Sequence, residues 1–268
     1  MNRIKTTLDQ LQKDNKKALV TYIVAGDPEP AVTVDAMHAL VASGADILEL
    51  GIPFSDPMAE GPVIQLAHER ALKHSTSLRD ALAMVTEFRR ANNHTPIILM
   101  GYANPIEKMG YSVFADAAKS AGVDGVLTVD LPPEESAPFT QVLKQQHLEN
   151  IFLIAPTTTA RRQQAIVEQA GGFIYYVSLK GVTGAGHLDV DSVEQKLGEI
   201  RSLTQLPICV GFGIKDGATA RAAAACASGV VVGSAIVSAI AATNNGQIDS
   251  IKATISDIVG EIRSALDS

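Results

Sequence analysis

PICVGFGIKDGATARAAAACASGVVVGSAI, residues 207–236, contains two short apolar runs, 207–211 and 229–233, separated by an alanine-rich stretch, 216–227. Each run ends in a glycine turn, GFGI or GSAI. Neither run alternates apolar with polar residues, which is the pattern of parallel strands covered on both faces, and the segment between them is long enough for a crossover helix. Outward from this unit the same arrangement recurs toward the N-terminus. Strands are expected at 18–24, 46–50, 96–101, 125–129, 151–155 and 173–177, and amphipathic helices at 30–43, 62–72, 77–91, 105–121, 134–147, 159–170, 190–202 and 247–266. Eight strand-helix units predict an α/β chain folded as a (β/α)8 TIM barrel, with a short helix after strand eight and an extra amphipathic helix, 2–13, plugging the barrel bottom. A doubly wound sheet is the rival, but AGDPEP follows the first strand where that fold would carry GxGxxG.

The 268 residues are 46% hydrophobic and 19% charged, enough apolar content for a large core, and a barrel of about 250 residues accounts for residues 1–268 as one domain. With 22 basic against 29 acidic residues, a net charge of -7 argues against a surface for nucleic acid or an anionic membrane. Cys209 and Cys226 form no CxxC, and the six histidines form no HxxxH or HExxH, so neither a disulfide framework nor a metal site is expected. No apolar run reaches about 18 residues and the first residues lack an apolar h-region, so no membrane span is expected and a cytoplasmic setting is the default.

In this barrel the site lies at the C-terminal ends of the strands. Glu49, within LELG, puts a carboxylate inside an apolar strand near that end, where burial would raise its pKa and suit it to acid-base work; a structural ion pair with a buried cation is the alternative. Asp46, at the entry end of the same strand, reads as structural. The loop GIPFSDPMAEGP, 51–62, has three prolines and the acids Asp56 and Glu60 and is longer than such a loop needs to be, which suggests a lid or a partner contact. Gly213, Gly233 and Ser234 lie in the two glycine loops where many barrels hold a phosphate on backbone N–H groups, so a small phosphate ester is the expected ligand. VTGAG, 182–186, reads as a flexible flap, and Tyr22, Tyr102, Tyr175 and Phe212, at or just after strand ends, can wall an aromatic ligand.

The block ADILELGIPFSDPMAEGPVIQ, 45–65, together with YIVAGDP, MGYANP, DLPPEES, GVTG, GFGI and GSAIV in that order, resembles the tryptophan synthase alpha chain family. The resemblance implies a cofactor-free lyase that cleaves indole-3-glycerol phosphate to indole and glyceraldehyde 3-phosphate. It also implies a pyridoxal-phosphate beta subunit that receives the indole, assembled as an alpha2beta2 heterotetramer. Position by position, Glu49 matches the family's general acid/base and Glu60 its second carboxylate, which faces the indole N–H and is more commonly Asp. Thr183 matches the flap threonine, Gly184, Gly213, Gly233 and Ser234 match the phosphate loops, and Tyr175 matches a pocket tyrosine. Tyr22 stands where phenylalanine is common.

Three other readings share these residues. A Schiff-base phosphosugar aldolase would use Lys180, just past strand six, although its glycine loop offers no apolar pocket to lower the amine pKa. A noncatalytic barrel that only activates a partner would not need both Glu49 and Glu60. A stand-alone lyase that releases free indole would use the same chemistry.

Overall fold

Alternate residues of each strand belong to different cores, which explains the apolar runs without alternation. In the computed structural model, which describes residues 2–177, 190–211, 213–243 and 247–268, Leu48 and Leu50 of β2 (Ile47–Gly51) join the core between sheet and helices, whereas Ile47 faces the barrel interior. The same division holds in β1 (Ala18–Val24), with Leu19 and Ile23 outside and Ala18 and Val20 inside, and in β3 (Ile97–Gly101), with Ile97 and Leu99 outside and Ile98 inside. Both faces are apolar because both are covered.

The sheet continues through β4 (Gly125–Thr128), β5 (Glu149–Ile154), β6 (Ile174–Val177), β7 (Ile208–Gly211) and β8 (Gly229–Val232). Every neighbouring pair is parallel, and β8 pairs with β1, Ala18 opposite Gly229, so the barrel closes in sequence order. The doubly wound alternative is thereby excluded. Among the described residues, no helix is long and apolar enough to cross a membrane.

Twelve helices surround the sheet among the described residues: α1 (Arg3–Lys13), α2 (Pro30–Ala42), α3 (Pro62–Lys73), α4 (Leu78–Arg89), α5 (Ala103–Met109), α6 (Tyr111–Ala121), α7 (Ala137–Gln145), α8 (Ala160–Gln169), α9 (Val190–Arg201), α10 (Gly217–Ala225), α11 (Ser234–Ala242) and α12 (Ile248–Leu266). The single helix expected over 105–121 is two, because Gly110 takes φ 88° and ψ 133°, ending α5 and starting α6. A residue with a Cβ would rarely hold that conformation.

Helix α1 seals the barrel bottom, where Ile4 and Leu8 pack with Ala18, Val20 and Ile98. A Cβ at Gly125 would come within 2.7 Å of Ile151 Cδ1 and 2.9 Å of Ile4 Cδ1, so the glycine lets α1 and β5 pack closely on β4. Around this plug Asp124 accepts from Arg3 and Arg89, each at 2.9 Å, and from the Ile97 N–H. Asp46 is structural as expected, since its Oδ2 accepts from the Leu19 N–H at 2.8 Å and from Arg263 at 3.1 Å. Asp46 and Asp124 at this end are thus held by paired cations and backbone N–H groups.

Candidate active site

The interior changes character toward the C-terminal ends of the strands. Below, Val20, Ile47 and Ile98 fill it. One pleat further up, two residues along each strand, Tyr22 and Glu49 occupy register positions side by side on β1 and β2, and Met100 follows on β3. They line a cavity of about 360 Å³ whose other walls include Glu60, Ile64, Tyr175, Gly213, Gly233 and Ser234. Tyr22, Glu49, Glu60, Tyr175, Gly213, Gly233 and Ser234, all singled out in the sequence, therefore meet in one place. A volume of this size suits a small ligand with an aromatic portion.

Glu49 is 1% exposed. Among the described residues no cation pairs with it and its Oε1 has no hydrogen-bond partner, so none of them supplies the structural ion pair. Burial, and secondarily the charge of Glu60, pushes its carboxyl up to about 8. Glu60 reaches the same cavity from the β2–α3 loop, and burial raises it to about 7. Two carboxyls raised into the neutral range, Glu49 above Glu60, in one mostly apolar cavity, are suited to acid-base work.

The loop carrying Glu60 is tied down. Gly61 caps α3 with Pro62 in its first turn, the Glu60 N–H bonds to the Pro57 carbonyl at 3.0 Å, and the Ala59 N–H donates to the Tyr102 hydroxyl at 3.2 Å. Tyr102 also stacks on Phe54, ring centroids 5.1 Å apart. It lies behind the loop rather than among the residues lining the cavity, so its contribution to the site is through the loop's position. Asp56 is exposed; its carboxylate accepts from the Ser55 hydroxyl and its backbone carbonyl from the Met58 N–H.

At the far end of the cavity Gly233 caps α11, and Val237 N–H to Gly233 carbonyl is the helix's first bond. The N–H groups of Ser234, Ala235 and Ile236 precede it and carry the positive end of the helix dipole, a place for an anion. Gly213, at φ 75°, turns the β7 loop toward the same end with open space where a Cβ would stand. On the wall between, the Tyr175 ring lies against Gly211, and a Cβ there would come within 2.7 Å of Tyr175 Cζ. Burial, and after it the Glu49 charge, raises the Tyr175 phenol above its ordinary range, so it stays protonated.

Thr183, Gly184, Lys180, the 182–186 segment and Phe212 lie outside the described residues. Among those described, no cluster of His, Cys, Asp and Glu is placed to hold a metal, and burial raises the Cys209 thiol well above its ordinary range, so it is no nucleophile. Residues without a motif escaped the sequence reading, among them Ile64 and Met100 on the cavity wall and His68. Met100 is an apolar strand residue like many others. His68, 2% exposed within α3, carries no motif, and only its spacing of four from Ile64 and three from Ala71 placed it on the buried face.

The profile of the family described as "Tryptophan synthase alpha chain" matches residues 8–266. The chain is 54% identical over 268 residues to the tryptophan synthase alpha chain of Marinobacter nauticus, covering all of this chain and 99% of that one. It is 55% identical over 268 residues to that of Nitrosococcus oceani, covering 98% of that protein. Among solved structures, tryptophan synthase subunit alpha from Legionella pneumophila superposes with a TM-score of 0.93 at 47% identity, over all of this chain and 99% of that one.

Proposed function

The chain belongs to the tryptophan synthase alpha chain family, and we propose that Glu49 and Glu60 carry out its chemistry in the cavity described above. It is a carbon-carbon lyase that cleaves indole-3-glycerol phosphate to indole and glyceraldehyde 3-phosphate, and the indole passes to a beta subunit. The observation that carries the assignment of residues is the convergence of two raised carboxyls on one cavity that ends at the N-terminus of α11.

The indole nucleus fits between Tyr22, Met100 and Tyr175, with the phosphate at the N–H groups that begin α11 and at Gly213. Glu49, protonated near neutral pH, delivers its proton to indole C3, and the ring becomes an iminium-like indolenine. Glu60, ionised, lies where it stabilises the developing charge at the ring N–H. Glu49, now a carboxylate, takes the proton of the glycerol hydroxyl on the carbon attached to C3. The carbon-carbon bond breaks, its electrons restore the aromatic ring, and the hydroxyl carbon becomes the aldehyde. Glu49 ends as it began, and no proton is left over.

Thr183, Gly184 and Phe212 belong to the same binding set by their match to the family's motifs. The chain works as one barrel domain, 1–268, in the cytoplasm, where both of its cysteines stay reduced; both are free and buried. Its partner is a pyridoxal-phosphate beta subunit in an alpha2beta2 heterotetramer. Met58, 80% exposed on the loop that carries Glu60, is an apolar side chain such a partner would cover. Release of indole from indole-3-glycerol phosphate, measured with and without a beta subunit, tests both activity and partnership. Loss of release on replacing Glu49 or Glu60 supports the assignment, and wild-type release in both variants removes it.

A further inference from the structure

His68 is an imidazole set in an apolar seam, on the face of α3 that also buries Ile64, Ala67 and Ala71. Both ring nitrogens are engaged. Nδ1 accepts the Phe54 N–H at 3.0 Å, and Nε2 lies 3.4 Å from the Tyr22 hydroxyl, the long end of a hydrogen bond. A backbone N–H can donate only to an unprotonated ring nitrogen, so Nδ1 carries the lone pair and the neutral ring holds its proton on Nε2. Burial lowers the imidazole to about 4, which keeps the ring neutral around pH 7. Nε2–H therefore donates to the Tyr22 oxygen.

Tyr22 has no other hydrogen bond among the described residues, and its ring lines the cavity beside Glu49. With its oxygen receiving from His68, its own O–H proton is left to point away from His68, toward the cavity. Gly51 makes this pose possible, since a Cβ there would come within 2.8 Å of Tyr22 Cζ. At the other end of the imidazole, Phe54 starts the loop that delivers Glu60 and stacks on Tyr102, whose hydroxyl holds Ala59.

Taking the cavity as the indole-3-glycerol phosphate site, we propose that His68 is a positioning residue: it turns the Tyr22 hydroxyl into a donor facing the substrate, and it fastens that wall to the backbone of the loop that carries Glu60. It touches no reacting atom. Its effect passes through Tyr22 on one side and Phe54 on the other.

The two sides can be separated by the geometry of amide side chains. In His68→Asn the amide oxygen can take the place of Nδ1 and keep the Phe54 bond while failing to reach Tyr22. In His68→Gln the amide nitrogen can take the place of Nε2 and keep the Tyr22 bond. For the full-length chain, kcat/KM of Y22F and H68N should each fall roughly 5- to 10-fold, the worth of one neutral hydrogen bond, and the double variant should fall no further than the larger single effect. H68Q should retain the sensitivity to Y22F that H68N lacks. Multiplying effects in Y22F/H68N would overturn the proposal.

A second measurement does not depend on turnover or on any variant folding. Imidazole 15N resonances of the wild-type chain should show His68 neutral with the proton on Nε2 from pH 6 to 8. A ring protonated on Nδ1, or doubly protonated, sinks the inference while leaving the roles of Glu49 and Glu60 untouched. Wild-type turnover in Glu49→Gln would instead count against the site assignment and leave the tautomer result standing.

Discussion

Tyr22 and Glu49 are register partners on adjacent strands, one pleat above Val20 and Ile47 in the barrel interior. The pairing sets a phenol and a carboxyl side by side where apolar residues below and the cavity above remove water from both. Burial raises each, and the charges of Glu60 and then Glu49 raise the phenol further. Among the described residues no cation stands beside Glu49 to hold it ionised.

Glu49→Gln should keep the fold and lose roughly 10² to 10⁴ in turnover, because the amide cannot exchange the proton. Its stability should depend less on pH than that of the parent. In the folded chain Glu49 keeps its proton up to about 8, whereas unfolded it releases the proton near its ordinary value of 4.5. The parent therefore loses stability as pH rises from about 4.5 to about 8, and the Gln variant lacks that contribution. Thermal melts of both proteins across this window check the sign; a variant that melts lower at pH 8 would point to a structural Glu49.

The rate of the free chain should follow a bell in pH. Glu60 must be ionised to stabilise the indolenine, so kcat/KM falls as pH drops through about 7. Glu49 must be protonated to attack C3, so it falls again as pH rises through about 8. Steady-state kinetics from pH 5.5 to 9.5 measures both limbs. A flat profile over that range would detach these two carboxyls from the chemistry.

Replacement of Glu60 separates charge from reach. Glu60→Asp should remain active, with Glu60→Gln and Glu60→Ala falling steeply, because a cation developing in a water-poor cavity responds to charge more than to one carbon-carbon bond of length. A Glu60→Ala chain with the parent kcat removes the residue from the mechanism. An inactive Glu60→Asp would show that the loop held by Tyr102 and the Pro57 turn is set for the longer side chain.

At the phosphate end, Gly213→Val should raise KM at least 10-fold. The backbone there is at φ 75°, which valine resists, and the new side chain would project into open space at the end of the cavity. Gly233→Val should act similarly, because a Cβ there would lie 3.4 Å from Tyr22 Cβ and the methyls beyond it must turn toward Tyr22 or the anion. Saturation curves with indole-3-glycerol phosphate decide; unchanged KM in both would place the phosphate elsewhere.

Much of this was legible in the chain. Eight apolar runs without alternation, each followed by a helix, define a closed parallel barrel, since both faces of every strand must be covered. A carboxylate within such a run, as in LELG, announces a site because an apolar strand does not bury a charge without use. The glycine turns after strands seven and eight pointed to an anion end for a similar reason: without side chains their backbone can come close to a ligand. Periodicity could not show that Gly110 breaks 105–121 into two helices, because glycine is tolerated inside many helices and only the local φ, ψ decides.

Contacts between residues distant in sequence had to come from the tertiary structure. That Asp46 has Arg263, while Glu49, three residues later, has no cation among the described residues, depends on α12 reaching the barrel bottom. That Tyr102 holds the loop from behind while Tyr22 and Tyr175 line the cavity depends on where the loop lies. His68 gains its meaning only when α3 packs it between the Tyr22 hydroxyl and the Phe54 N–H. Local pattern determined which face of each element is buried, because burial follows the 2- and 3.6-residue periods; which polar groups share a buried space depends on how those faces meet, and no local period encodes that.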